Sequence, residues 1–525
     1  MDTKALRQKI LDLAIRGKLV PQDPNDELAS VLLERIREQK QQMVKEGKLK
    51  KKDIKNDSVI FLGEDNLHYE KFADGSVKCI EEEIPFELPE GWAWERLGNV
   101  STIARGGSPR PIEDYLTDDA DGINWIKIGD TEKDNKYILR TKEKIKPAGL
   151  SKTRYVQSGD FLLTNSMSFG RPYILKTDGC IHDGWLVIGN IETVFNQDYL
   201  YYALSSGFMY TTLSLLAAGS TVKNLKSDTV RSVLFPIPPH SEQKRMAQRL
   251  EQLISFVDAI NAEKGQLVDI INQTKSKILD LAIRGQLVPQ NPDDEPASVL
   301  LERIRAEKEE LIKQGKIKRD KKESIIFKGE DNSYYEKIGS EVHCIDKEIP
   351  FEIPETWEWC RGYTCFAGME SKKPTGDFFD YIDIDSIDNY NHKIKEPKHL
   401  PVSDAPSRAS RAIKSGSVLF SLVRPYLENI VLIEEKHSHC IASTGFYVCN
   451  SNGAFLPEFM FFLMISGYVV GGLNQYMKGD NSPSISKDNI ENWLYPVPHL
   501  EEQRIICAKL QPVFSLLESV EKSLN

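Results

Sequence analysis

From Ser241 to Arg284 the chain runs without a proline, and apolar residues fall at Met246, Leu250, Leu253, Val257, Ile260, Leu267, Ile271, Ile278 and Leu281. With Lys264 and Thr274 filling the gaps, the steps alternate between four and three residues. A 3.5-residue average repeat keeps one stripe of a helix facing a partner, so the spacing predicts a coiled-coil seam. A single helix over this segment would be about 65 Å long at 1.5 Å per residue. The C-terminus carries the same seam at Ile506, Leu510, Val513, Leu517, Val520 and Leu524. The N-terminus continues it, because Leu6, Ile10 and Leu13 correspond to Thr274, Ile278 and Leu281. Pro512 interrupts the C-terminal seam, since an interior proline removes a hydrogen bond and kinks its helix.

Elsewhere the pattern is that of short strands. The runs GDFLLTN (Gly159–Asn165), GWLVIGNI (Gly184–Ile191), SVLFSL (Ser417–Leu422), NIVLIEE (Asn429–Glu435) and GFYVCN (Gly445–Asn450) are separated by Gly, Pro, Asp and Asn turns. They lie in or beside two blocks, from about Asn99 to Asn196 and from about Tyr363 to Leu456, each expected to be a compact α+β domain. The most apolar run, FMFFLMISGYVVGGL (Phe459–Leu473), is shorter than the roughly 20 residues that span a bilayer and reads as a buried helix.

These elements occur twice. KILDLAIRGKLVPQ (Lys9–Gln22) returns as KILDLAIRGQLVPQ (Lys277–Gln290), and DELASVLLERIREQ (Asp26–Gln39) as DEPASVLLERIRAE (Asp294–Glu307). EIPFELPEGWAWERL (Glu83–Leu97) returns as EIPFEIPETWEWCRG, and FPIPPHSEQKRMAQRL (Phe235–Leu250) as YPVPHLEEQRIICAKL (Tyr495–Leu510). The C-terminal helix is thus a copy of the first half of the central helix, and the N-terminal helix a copy of its second half. The expected fold is α+β, with two globular domains separated by long helices that form an antiparallel coiled coil, an internal duplication with pseudo-two-fold character. A shared frame holding two diverged inserts predicts one scaffold with two different binding surfaces.

Composition narrows the class. The 525 residues are 40% hydrophobic and 28% charged, as in globular proteins, and the length calls for more than one domain. The start, MDTKALRQKI, has no apolar signal-peptide core. Eight cysteines without a CxxC fit free thiols in a reducing cytoplasm. A net charge of −10 argues against a protein that coats nucleic acid by itself, but Asn99–His240 is nearly neutral, with 16 Lys/Arg against 15 Asp/Glu. DNA binding is then expected only through local patches. No phosphate-binding GxxxxGK[ST] loop is present, and GGSPRP (Gly106–Pro111) reads as a polar turn. Neither Cys180 with His182 nor His437 with His439 completes a four-ligand set, so no metal site is expected. No catalytic residue and no cofactor is assigned to this chain.

The paired PIPPHSEQKRMAQRL and PVPHLEEQRIICAKL segments, the KILDLAIRG(K/Q)LVPQ segments and the lead-ins LPEGWAWERLGNV and IPETWEWCRG resemble the specificity subunit of type I restriction-modification systems over essentially the whole chain. NWIKIGD (Asn124–Asp130) and GDFLLTNSMSFGRPYI (Gly159–Ile174) resemble the interior of a first target-recognition domain. The second block departs more, having no counterpart of GGSPRP or WIKIGD. The resemblance implies a cytoplasmic, non-catalytic, sequence-specific DNA-binding subunit that reads a bipartite target in double-stranded DNA, one half-site per domain. It also implies two modification subunits, which methylate adenine with S-adenosylmethionine, and restriction subunits, which use ATP and Mg. On this basis residues 1–22 form an N-terminal helix completing the distal helical region, 23–89 a connector with a charged helix, and 90–235 the first recognition domain. Residues 236–288 form the central coiled-coil helix, 289–354 a second connector with a charged helix, 355–495 the second recognition domain, and 496–525 the distal coiled-coil helix. The competing reading is a coiled-coil assembly adaptor whose inserts bind protein.

Base edges are read by Arg, Asn and Gln, and phosphates by Lys, Ser and backbone N–H groups. In the first block the candidates in Gly- or Ser-rich turns are Arg105, Ser108, Arg110, Asn165, Ser166, Ser168, Arg171, Lys223 and Asn224. In the second they are Ser371, Lys372, Lys373, Arg408, Arg411, Arg424, Tyr426, Lys478 and Asn481. Arg171 and Arg424 share an RPY motif, which equally fits a role in the common fold. The basic tracts Lys48–Lys55 and Lys316–Lys322 fit phosphate contacts or solvated helix ends, and the charged helices before them equally fit docking on a modification subunit.

Overall fold

A computed structural model describes residues 2–524 except 48–49, 52–53, 133–134, 166–168, 218–223, 317–318 and 320–322. It divides into two compact units, Met1–Glu263 and Lys264–Asn525. The division falls inside one helix of 44 residues, His240–Ile283, within a residue of the expected bounds at each end.

In the first unit the N-terminal helix Thr3–Ile15 starts where the Asp2 carboxylate accepts the N–H groups of Lys4 and Ala5. It lies antiparallel to the first half of the central helix. Thr3 Oγ1 meets Asn261 Oδ1 at 3.1 Å, Arg7 pairs with Asp258 at 2.9 Å, and Gln22 reaches Glu242 at 3.1 Å. Ile10, Met246, Leu250 and Val257 are buried between them, with Leu6, Leu13, Leu253 and Ile260 half-buried. The buried stripe is wider than the sequence seam, because Leu11, Ala14, Ile15 and Ile254 are buried as well.

In the second unit the C-terminal helix Leu500–Leu524 runs antiparallel to the other half, with Glu502 at Gln290 (2.5 Å) and Glu521 at Lys275 (3.2 Å). Ile271, Ile506 and Leu510 are buried, and Ile278, Leu281, Leu517 and Leu524 half-buried. Three seam residues depart from expectation. Leu267 is 42% exposed. Within the second unit Glu521 meets the central helix at Lys275, eight residues beyond position 267 and three residues before the C-terminal helix ends at Leu524. Val513 and Val520 are 37% and 39% exposed, while Phe514 packs against the core and Glu521 is buried. Across Pro512, which remains inside the helix, the inward positions run 506, 510, 514, 517, 521 and 524. Two consecutive steps of four advance the stripe by one residue relative to a strict heptad pattern.

The duplicated motifs become duplicated contacts. Glu242 and Glu502, both buried, each accept a tryptophan Nε1–H and a glutamine amide: Trp92 at 3.0 Å with Gln22, and Trp357 at 2.7 Å with Gln290. The next residue, Gln243 or Gln503, is fully buried and spends its amide on backbone. Gln243 donates to the Val194 and Pro238 carbonyls and accepts from the Asn196 N–H; Gln503 donates to Ala454 and Pro498 and accepts from Leu456. Each unit closes its insert with a two-stranded sheet, Ala93–Arg96 with Leu234–Ile237 and Glu358–Arg361 with Leu494–Val497. Arg96 bridges Glu70 and Glu83, and Arg361 bridges Glu336 and Glu348, clamping a three-stranded hairpin sheet to that base.

The inserts differ. The first contains two five-stranded sheets. One includes Ile123–Ile126 and Gly179–Ile181, and the other includes Phe161–Thr164 flanked by Trp185–Gly189 and Pro172–Leu175. The second contains a four-stranded sheet in the order Lys398–Pro401, Phe378–Ile382, Ile441–Ser443, Ala409–Ala412, and a three-stranded sheet around Val418–Ser421. The apolar run at Phe459–Leu473 is not one helix. It breaks into Pro457–Met464 and Gly467–Asn474, because the Ser466 hydroxyl leaves the helix to cap Val469 N–H. Among the described residues no helix is long and apolar enough to cross a membrane.

Candidate nucleic-acid interface

In the first unit the candidates converge on a residue outside their number, Asp183. The strand Thr102–Arg105 pairs antiparallel with Trp185–Gly189, which brings the GGSPRP turn beside the HDG turn that precedes the second strand. Arg105 Nε donates to the Asp183 carbonyl at 2.9 Å, and its guanidinium stands 4.0 Å from the carboxylate. Ser108 Oγ donates to Asp183 Oδ1 at 3.0 Å, and Arg110 reaches Oδ2 at 3.4 Å while its side chain remains 79% exposed. Asn165, fully buried, donates its amide to the Asp183 carbonyl at 2.7 Å. Burial opposes ionisation of Asp183, but the Ser108 hydrogen bond and the charges of Arg105 and Arg110 hold its carboxyl below the usual range. The carboxylate thus presents two arginines at a surface turn without a long, solvent-exposed search through rotamers.

The same turn borders an open cavity of about 600 Å³, lined by Ser108, Arg110, Trp125, Lys127, Glu143 and His182 among others. Lys127 and Glu143 form an ion pair across it. His182 Nδ1 lies 2.6 Å from the Gly184 N–H and Nε2 3.2 Å from that of Ile128. A neutral imidazole has one acceptor nitrogen, so only one of these is a hydrogen bond. Burial lowers the His182 pKa. Cys180 points away into a cluster with Trp125 and Ile145, so it does not join His182 in a ligand set.

The remaining first-unit candidates are placed individually. Arg171 is exposed at the start of a strand, its N–H donating to Thr164 Oγ1 at 2.9 Å. Asn224 adjoins Leu225, whose N–H donates to the Asn165 carbonyl, and its buried Oδ1 has no partner among the described residues. Ser166, Ser168 and Lys223 lie outside the described residues, as do parts of both basic tracts.

The second unit forms two groups. Along the edge strand Ala409–Ala412, Ser371 bridges Arg411, the Lys372 N–H donates to the Ser410 carbonyl, and Lys373 and Arg408 are exposed. Arg411 Nε is buried with no acceptor among the described residues. In the other group, Arg424 takes a left-handed conformation (φ +48°), its N–H donating to the Pro483 carbonyl at 2.7 Å and its guanidinium to that of Asn481 at 2.8 Å. Lys478 pairs with Ser484 in the same loop, and Tyr426 is 46% exposed. Arg424 therefore cross-links two loops.

Residues 89–268 match the family described as the type I restriction modification DNA specificity domain. The specificity subunit of the Escherichia coli type I restriction enzyme EcoAI is 28% identical, covering 96% of this chain and 87% of its own length. That of EcoEI, also from Escherichia coli, is 27% identical over 99% and 91%. A solved structure from a type I restriction-modification system shares the fold, with a TM-score of 0.53 at 16% identity over 84% of this chain and 94% of that one. With the duplicated helical frame, these likenesses lead to one conclusion: residues 89–268 carry a type I restriction modification DNA specificity domain, and the chain is similar along nearly its whole length to the specificity subunits of type I restriction enzymes.

Proposed function

We propose that this chain reads a bipartite target in double-stranded DNA, one half-site through each insert, and docks two adenine-methylating modification subunits and the restriction subunits. The observation that carries this reading is the gathering of Arg105, Ser108 and Arg110 around Asp183 within the matched specificity domain. Arginine pairs bidentately with guanine and serine with phosphate, so such a turn has the chemistry of a groove reader. The diverged second insert, with its own basic edge strand, supports a second and different half-site. S-adenosylmethionine, ATP and Mg belong, on this reading, to the partner subunits, and the site of action is the cytoplasm.

The test is an exchange. Residues 90–235 are replaced with the first recognition domain of another specificity subunit, and methylated adenines are mapped in cells carrying the hybrid with its modification partners. One half of the target should change and the other persist. A change in both halves, or in neither, would overturn the assignment of one half-site to each insert.

A further inference from the structure

The second unit carries a set of metal-ligand side chains that the DNA-reading role does not use. Asp380 lies on strand Phe378–Ile382, directly opposite His399 on the antiparallel strand Lys398–Pro401. On its other side Tyr381 pairs in parallel with Ile441, so continuing that register by one residue sets Cys440 beside Asp380. Alternation agrees: Phe379, Tyr381 and Ile441 pack on one face, and Ile382, Cys440 and Ala442 on the other. Asp380 Oδ1 lies 2.8 Å from His399 Nδ1 and Oδ2 lies 2.8 Å from His439 Nε2; the Cys440 thiol is 3.8 Å from that same nitrogen. One ligand atom from each of Asp380, His439 and Cys440 lies within 4.8 Å of the others.

A His–Asp–His hydrogen-bonded row has no use for a thiol. Tetrahedral zinc, with bonds of about 2.0–2.3 Å, separates nitrogen from sulfur by about 3.6 Å and nitrogen from carboxylate oxygen by about 3.3 Å. The two separations that involve the His439 nitrogen therefore lie within about half an ångström of those values. We infer that Asp380, His439 and Cys440 form a binding site for a borderline-soft divalent cation of the zinc class, with water completing the shell. On binding, the Cys440 thiol releases its proton to solvent, the neutral His439 ring carries its proton on Nδ1 so that Nε2 faces the ion, and carboxylate and thiolate neutralise the ion. His399 is a positioning residue that holds the free oxygen of Asp380, as outer hydrogen bonds commonly do around metals. The ion would pin the turn before Ile441 to the sheet beside Lys372, whose Nζ donates to the His439 carbonyl at 3.3 Å. The sequence conceals the set because strand pairing brings Asp380 and His399 to His439 from 59 and 40 positions away.

The probe is Co²⁺ titrated into the purified full-length chain, followed by absorption. One equivalent should bind with tetrahedral d–d bands and a thiolate-to-cobalt charge-transfer band. Cys440→Ser should abolish the charge-transfer band, His439→Gln should weaken binding at least tenfold, and His399→Ala should weaken it about 10- to 100-fold. A Cys79→Ser, Cys344→Ser chain, lacking the two exposed thiols, should behave as wild type. Circular dichroism establishes that each variant is folded; if Cys440→Ser is not, His439→Gln, which retains the thiol, becomes the deciding variant. Failure of the folded wild type to take up one equivalent, a charge-transfer band surviving in folded Cys440→Ser, or unchanged affinity in His439→Gln would overturn the site.

Discussion

Gly17 and Gly285 occupy the same place in the two copies, just after the helices that carry KILDLAIRG, and each is replaced by alanine in the first prediction. Both have left-handed backbones, φ +66° and +68°. A Cβ on Gly17 would stand 2.3 Å from Pro89 Cγ and 3.0 Å from Trp92 Cζ2; one on Gly285 would stand 2.3 Å from Pro354 Cγ and 3.2 Å from Trp357 Cζ2. Carbon pairs settle at about 3.5–4.0 Å, so the overlap with each proline ring is more than 1 Å. The ring is rigid, and the adjoining tryptophan is held by its bond to the buried Glu242 or Glu502. Gly47 and Gly315 supply the control, having φ +73° and +70° but nothing within 4 Å of an added Cβ. Alanine there incurs only the left-handed penalty, about 1–2 kcal/mol. At Gly17 and Gly285 overpacking adds about 1–3 kcal/mol. Urea unfolding followed by tryptophan fluorescence should rank Gly17→Ala and Gly285→Ala well below Gly47→Ala and Gly315→Ala. Equal losses at all four positions would refute the argument that the Pro–Trp cradle excludes a side chain.

Other outcomes follow from particular contacts. Burial pushes the Glu95 carboxyl up from 4.5 to about 7, so the folded state keeps its proton where the unfolded chain has lost it. Stability therefore falls as pH rises from 4.5 to 7, by up to about 3 kcal/mol at 1.36 kcal/mol per pKa unit, and Glu95→Gln should flatten that slope in urea titrations. An unchanged slope would remove Glu95 as its source. Asp183→Ala should lower binding to a duplex altered in the second half-site more than to one altered in the first, by about 1–3 kcal/mol per lost base contact, measured by fluorescence anisotropy. Equal losses on both duplexes would argue against a role confined to one half-site. A heptad inserted after Gly265 lengthens the central helix by about 10 Å and should widen the target spacer by up to about three base pairs in methylation maps. An active insertion mutant with an unchanged spacer would show that this helix does not set the distance.

Much of the frame was legible because it obeys periodicity. The central helix, the strands at Phe161–Thr164 and Phe446–Cys449, and the correspondence of the chain's two ends all announce themselves through spacing and repetition. Where spacing failed, a local group had overruled it: Ser466 capping a new helix within an apolar run, or Pro512 ahead of a shifted stripe. The site was harder to read. Arg105, Ser108 and Arg110 could be chosen by residue type in a glycine-rich turn, but Asp183 lies 75 residues beyond Ser108 and is an ordinary loop aspartate until two strands pair. The Trp–Glu–Gln contacts were likewise present as letters in each repeat, without any periodicity to connect them.

Asp183 also bears on discrimination. A reading turn made only of arginines would attract every phosphate along a chromosome, and the protein would be titrated by irrelevant duplex before meeting its target. An anionic side chain within that turn repels backbone phosphate while tethering Arg105 and Arg110. Ground is then gained only where base edges replace the carboxylate as partner. On the proposed reading, the aspartate enlarges the ratio between target and bulk DNA, the quantity that decides occupancy when competing sites number in the millions.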